Sequence, residues 1–420
     1  MCFPGCGGQK PKASPVEEPH AAGFLSALER ANITTAHLQS KLDNPITLSD
    51  TRRIMDAVTP YLLMPPEDCG LVDAAVTSRE DCGLVQRRDE ADDRGFAQDS
   101  IADCSSRFFW RVLTGRRREK PIRIVDVVLF GYELDLLEIR FHELDDVVAH
   151  TVLLENELSM KGVPKPLMWQ EARTQERFAR FANRTSSAVV LTRDTPVKKR
   201  GLWPWERATR QAAFRVVRMV DMQEGLELDN DDVIIYGDLD EMPSGESLRH
   251  LQQCEPRPGV FPLSGGLLFF IGRLDEVYLS DSPVPGWKYL LERPSYHRWH
   301  DAKRIRRLEQ PKRPGGYLPG GWHLSDYPFL PFILIKRITI SESRALESHI
   351  WRDVLRGEVR PDFRPLMKGW KKRLTRFDAL AAHNARYRML GEVAGRGPWY
   401  LLCNRERFPA WFWMRDRRLD

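Results

Sequence analysis

No stretch of the 420 residues approaches the run of about 18 apolar positions that a membrane-spanning helix needs. The opening residues, Met1-Cys2-Phe3-Pro4-Gly5-Cys6, carry no apolar signal-peptide core. Cysteine at position 2 also removes the myristoylation pattern, although Cys2 and Cys6 remain residue types that can be palmitoylated. No CxxC pair with zinc spacing occurs. The seven cysteines (Cys2, Cys6, Cys69, Cys82, Cys104, Cys254 and Cys403) are odd in number and scattered, which does not define a disulfide framework. A reducing compartment is the plain expectation. Neither GxGxxG nor a Walker motif lies between a strand and a helix, so a nucleotide would have to be held by a metal and basic side chains. No serine sits in a nucleophile-elbow context, which disfavours a serine hydrolase. A strong charge excess is missing as well. The 64 basic and 59 acidic residues give a net charge of +5, which does not argue for nucleic acid but suits an anionic small substrate.

The composition is that of a globular chain with a real core, 42% hydrophobic and 29% charged. Most of the 12 Trp and 19 Phe are expected inside, with exposed ones free to stack on sugar rings. Residues 1–20 are rich in Gly, Pro and Lys and read as disordered. Residues 21–63 read as amphipathic helices, with Phe24, Leu25, Leu28 and Ile33 on one stripe and Ile54, Val58 and Leu62 on another. Asn44-Pro45 marks the turn between them. A six-residue echo, residues 67–72 and 80–85, is too short to be a structural repeat. Residues 86–106 are loop-like, and Arg116-Arg117-Arg118 reads as a solvated linker. The expected division is therefore a disordered 1–20, a helical and loop extension over 21–118, and one large domain over 119–420.

Within that domain the texture alternates. Strands are expected at 122–130, 147–154, 189–191 and 233–236, with amphipathic helices at 133–147 and 206–224. Strand, helix and strand joined by short connections imply parallel pairing, so the fold class expected is α/β with a mostly parallel sheet flanked by helices. Ligands of such sheets bind beyond the carboxyl ends of the strands. There stands Gly237-Asp238-Leu239-Asp240-Glu241-Met242-Pro243, directly after the apolar run Val233-Ile234-Ile235-Tyr236. Asp238 and Asp240 flank one residue and can reach a common hard cation, Mn²⁺ or Mg²⁺, of the kind that bridges substrate phosphates. Glu241 offers a third ligand or a hydrogen bond to the turn. The bland reading is a solvated acidic turn. A glycoside hydrolase is disfavoured because carboxylates at one pole do not flank a sugar ring.

Several ordered segments together carry a family resemblance. They are Asp126 to Arg140, Leu154-Glu155-Asn156, Lys165-Pro166-Leu167, Trp205-Glu206-Arg207 with Arg210, the acidic segment 237–243, and Gly320-Gly321-Trp322-His323-Leu324-Ser325. The chain resembles glycosyltransferase family 17 in consistent order over roughly residues 120–410. The resemblance implies a GT-A-like fold and an inverting, metal-dependent transfer of N-acetylglucosamine. UDP-GlcNAc would be the donor and Mn²⁺ or Mg²⁺ the cation. The acceptor would be a glycan or glycoprotein bearing β-mannose, with a β-1,4 linkage formed on an N-glycan core.

It also implies site residues. Asp238 and Asp240 match the paired aspartates, with Glu241 beside them as catalytic groups. His323 would complete a metal shell with Asp238 and Asp240, or pack beside Trp322. Glu155, Glu206, Arg210 and Trp322 would bind substrate. Arg210 would neutralise the diphosphate or pair with Glu206 at i−4. Glu133 and Asp135 open a helix, where carboxylates are favoured anyway, and read as structural. The general base is unassigned, with Asp275 and Asp326 as candidates.

Leu324 stands where the family commonly has cysteine. That departure keeps a non-catalytic binder of nucleotide sugars in view, beside a nucleotide-sugar hydrolase. The family suggests a Golgi or secretory membrane address. The missing apolar span leaves a cytoplasmic or peripheral one open.

Overall fold

The computed structural model describes residues 26, 28–34, 47–63, 78, 82, 101–160, 162–190, 204–271, 274, 276–278, 284, 290–301, 314–325, 330–339, 374–376, 382–383, 385–394, 397–405, 407–408 and 411–412. Strands β1 to β7 are Leu113–Arg117, Ile124–Leu129, His150–Asn156, Thr185–Val190, Val233–Asp238, Glu241–Pro243 and Cys254–Pro256. Strands β8 to β12 are Leu263–Ile271, Glu276–Tyr278, Ser295–Arg298, Gly316–Ser325 and Leu374–Arg376. Helices α1 to α7 are Leu48–Leu63, Leu134–Leu144, Pro204–Glu224, Gly245–Gln253, Leu330–Thr339, Ala385–Ala394 and Trp399–Cys403.

A ten-stranded sheet runs β12-β9-β8-β10-β5-β2-β3-β4, with β11 and β6 joined beside β8. Its β5-β2-β3-β4 part is parallel, as the alternation of strand and helix predicts. The rest corrects the expectation of a mostly parallel sheet. β10 pairs antiparallel with both β5 and β8, β9 with β8 and β12, and β6 with β11, while β8 and β11 run parallel. The fold is α/β with a mixed sheet. The antiparallel part is built from segments far apart in sequence, which local periodicity does not reveal.

The parallel strands are apolar because both faces are covered. Val125, Val127, Val152, Leu154, Ile234 and Tyr236 pack on one side with Ala213, Val217 and Val220 of α3. Ile124, Val128, Leu153, Val233 and Ile235 alternate with them and face α2 and α4. β4 begins earlier than its apolar residues suggest, because the polar Thr185-Ser186-Ser187 pairs along the edge of β3. The acidic segment closes β5, so β2 and α3 hold it against the core.

Helix α1 buries Ile54, Val58 and Leu62, the stripe expected for it. The disordered reading of 1–20 and the echo at 67–85 lie outside the described residues, Ser78 and Cys82 apart. The division expected at about 118 falls just after β1, which pairs antiparallel with β7. The expectation of no disulfide framework is corrected. Cys104 is bonded to Cys254 and Cys82 to Cys403, across sequence separations of 150 and 321. Neither separation carries a local signal. No described helix is long and apolar enough to cross a membrane.

Candidate active site at the end of strand β5

The chain leaves β5 at Asp238, turns through Leu239 and Asp240, and re-enters extended backbone in β6. The turn is tight against its neighbours. A Cβ at Gly237 would stand 2.6 Å from Pro294 Cβ and 2.8 Å from Glu241 Oε2, so glycine is needed there. Glu241 faces inward, where its Oε2 accepts the Asp238 N–H at 3.0 Å and its Oε1 lies 3.3 Å from Arg293 Nε. Burial and the charge of Asp238 push the Glu241 carboxyl up to about 7, against the opposing His323 and Arg293. The Glu241 carboxylate thus holds the amide of Asp238, three residues before it, rather than one in the turn that follows.

The paired aspartates have different surroundings. Asp238 is the more open, with a side chain 38% exposed, and Arg210 Nη2 donates to both its oxygens at 2.7 and 2.9 Å. Asp240 Oδ2 lies 3.4 Å from His323 Nε2 and 3.8 Å from Lys336 Nζ of α5. Burial opposes the charge of Asp240, but the His323 imidazole and the Lys336 ammonium hold its carboxyl well below the usual range. The same pair works in reverse on His323. Burial would lower its imidazole, and the carboxylates of Asp240 and Glu241 raise it. His323 also stacks on Phe269, ring centroids 4.4 Å apart. Glu133 borders this cluster. Burial raises its carboxyl, and it lies within electrostatic reach of Lys336 and Asp240.

Other expected residues are placed elsewhere. Trp322, expected to bind substrate, is 1% exposed and lies in the core. Alternation along β11 explains this, since Trp322 and Leu324 point inward and His323 points to the acidic turn. Glu155 ends β3 but is fully buried. Its Oε1 accepts the Trp169 N–H at 3.3 Å and sits 3.7 Å from Lys165 Nζ. Burial therefore pushes that carboxyl up. Lys165 lies within electrostatic reach of both Glu155 and Glu133, and Glu133 within that of Asp240. Glu206 lies in α3, and its side chain is outside the described residues, as are Asp275 and Asp326. Arg210, expected to pair with Glu206 or a diphosphate, donates to Asp238.

Sequence reading missed Lys336 and Arg293, which sit in distant segments with no local mark. It also missed Asp126 and Arg140, and here a signal existed. Asp126 is a charge in the middle of an apolar strand run, and a buried charge demands a partner. Arg140 of α2 supplies it at 2.7 and 2.8 Å.

Among the described residues no three His, Cys, Asp or Glu side chains are grouped to hold a metal ion. Asp240 and His323 nevertheless offer a carboxylate oxygen and an imidazole nitrogen side by side. These donor types suit Mn²⁺ or Mg²⁺, and Mg²⁺ commonly takes one or two carboxylates and completes its shell with substrate phosphates and water. The donor set therefore fits such an ion when the substrate is bound. Asp238 fits less well, because a guanidinium covers its oxygens.

The family model of glycosyltransferase family 17 matches residues 102–265, which include Asp126, Arg140, Glu155, Arg210 and the acidic turn. The chain is also 31% identical to the β-1,4-mannosyl-glycoprotein 4-β-N-acetylglucosaminyltransferases of Rattus norvegicus and Homo sapiens. It is 30% identical to that of Mus musculus. Each similarity runs over 139 residues, 32% of this chain and 24% of the relative. The chain thus spans about a quarter of the length of the curated relatives it matches. The similarity to glycosyltransferase family 17 thus lies in the segment that carries the parallel strands and the acidic turn.

Proposed function

We propose that the chain is an inverting, metal-dependent glycosyltransferase that moves N-acetylglucosamine from UDP-GlcNAc to a β-mannose-containing glycan. By the names of its relatives, a β-1,4 linkage on an N-glycan core is the reading to test first. The observation that carries this reading is Asp240 beside His323 and Lys336 at the carboxyl end of β5, within the family match or facing it. A parallel β5-β2-β3-β4 edge with the acidic turn at its mouth supports a GT-A-like arrangement for residues 119–420. Residues 21–118 would then be an extension to that domain.

Asp240 and His323 would hold Mn²⁺ or Mg²⁺. When bound, such an ion supplies positive charge against the UDP leaving group. The chain's own cations add to this. Arg210, Lys336 and Arg293 surround the turn and match a diphosphate in sign. Asp238 keeps Arg210 oriented, and Glu241 holds the amide at which the turn begins.

The test is UDP release with a panel of mannose-terminated glycans, with Mn²⁺ and with chelator, and mass spectrometry of the products. Asp240→Ala is expected to lower kcat by about 100-fold or more, the scale of losing one charge-stabilising group. Full activity in that variant sinks the reading. A second reading is favoured by one observation: Arg210 already occupies Asp238. It is a nucleotide-sugar binder without turnover, and calorimetric donor binding with no product from any acceptor would support it. Release of free GlcNAc with water alone would instead point to a hydrolase.

A further inference from the structure

We propose that Arg140 is a positioning residue for the acidic turn, fixing its carbonyls so that Asp238 is presented to Arg210 and Asp240 to His323, where the cation and the donor's diphosphate would bind. The inference rests on the transferase reading above. Arg140 lies on α2 and is 0% exposed. A guanidinium so placed must have all its hydrogen bonds directed within the protein. One edge of its fork is spent on charge: Nε donates to Asp126 Oδ2 at 2.7 Å and Nη2 to Oδ1 at 2.8 Å. The remaining nitrogen reaches the turn. Nη1 donates to the carbonyls of Glu241 at 2.9 Å, Leu239 at 3.1 Å and Asp238 at 3.5 Å.

The fourth carbonyl goes the other way. Asp240 O accepts the Leu324 N–H of β11 at 2.8 Å. Carbonyls at 239 and 241 thus point to α2, and the one between them points to β11. That alternation fixes the peptide planes on both sides of Asp240 and with them the direction of its Cβ. The Asp238 amide is held in turn by Glu241. Asp126 adds no contact to the turn in this arrangement; it orients the guanidinium. A lysine could not do both jobs, because an ammonium has no planar fork.

Mere stability does not require such a device. Apolar pairs of similar volume often replace buried ion pairs without loss. Groups behind those that touch a metal or substrate typically contribute 10–100-fold to affinity or rate (about that range). The two roles therefore separate in experiment.

The double variant Asp126→Leu with Arg140→Met removes the buried charges together. Arg140→Lys keeps the charge and loses the fork. For both, Tm, kcat, donor KM and calorimetric binding of UDP with Mn²⁺ are measured on the full chain. The double variant is expected to keep a Tm near wild type. Its kcat, or its affinity for UDP with Mn²⁺, is expected to fall by about 10–100-fold. Arg140→Lys should show the same loss. A double variant with wild-type Tm, kcat and UDP affinity overturns the proposal.

If neither variant folds, hydrogen exchange of wild-type residues 237–243 decides. Protection matching that of β5 supports a pinned turn, and exchange as fast as in a surface loop overturns it. A wild type that releases no UDP with any acceptor defeats the transferase reading. The exchange measurement, which needs no ligand, then still reads whether the turn is held.

Discussion

His142 is a side chain whose protonation is decided by burial. Its ring stacks on Tyr400 with centroids 3.8 Å apart and planes 3° from parallel, and its Nδ1 is buried without a hydrogen-bond partner. Burial, and then the charge of Arg180, lower it from 6.5 to about 3. A depressed histidine contributes stability that is full above its unfolded value and is lost as pH falls through the folded one. His142→Phe keeps the stack and abolishes the titration. Between about pH 7.5 and pH 4.5 the Tm difference should therefore move in favour of the variant. A difference independent of pH would show that His142 is not held neutral. Asp240 is the opposite case, where paired cations outweigh burial and keep a carboxylate charged. Both outcomes depend on neighbours brought from afar. The acidic residues were legible from their order after an apolar strand, whereas Lys336, Arg293 and Tyr400 were not, since nothing local marks them as partners.

Among the elements, β11 shows how a strand delivers a functional side chain. Gly320 and Gly321 have φ of +123° and +134°, and a Cβ on Gly321 would stand 2.4 Å from the Met242 carbonyl. Only glycine lets β11 lie this close to β6 in the register that sets His323 opposite Glu241. Gly321→Ala is expected to cost about 1–3 kcal/mol from backbone strain alone. Urea unfolding measures it, and a change within about 0.5 kcal/mol would contradict the close packing. Periodicity revealed β2, α2, β3, α3 and β5, because strands covered on both faces and helices with one apolar stripe leave plain patterns. It did not reveal that β10 inserts between β5 and β8. That choice depends on pairing partners, not on the strand's own residues.

Across the whole molecule, Cys104–Cys254 ties the segment before β1 to β7, and Cys82–Cys403 ties residue 82 to the end of α7. Bridges across such long loops chiefly restrict the unfolded chain. Cys254→Ser is expected to lower unfolding free energy by about 2–5 kcal/mol, read by urea denaturation without reductant. Peptide mapping under non-reducing conditions should recover the linked pairs. Finding Cys104 and Cys254 alkylated without reduction would contradict them.

The amino-acid sequence by itself determined an α/β core, a carboxylate cluster at a strand's carboxyl end and a resemblance to glycosyltransferase family 17, whose family model matches residues 102–265. Apolar periodicity and short-range order are enough for those. Only the tertiary structure decided that Trp322 is core, that Arg210 takes Asp238, and that Arg140 reaches beneath the turn. Each of these is a contact between residues distant in the chain, and its geometry exists only once the sheet has closed.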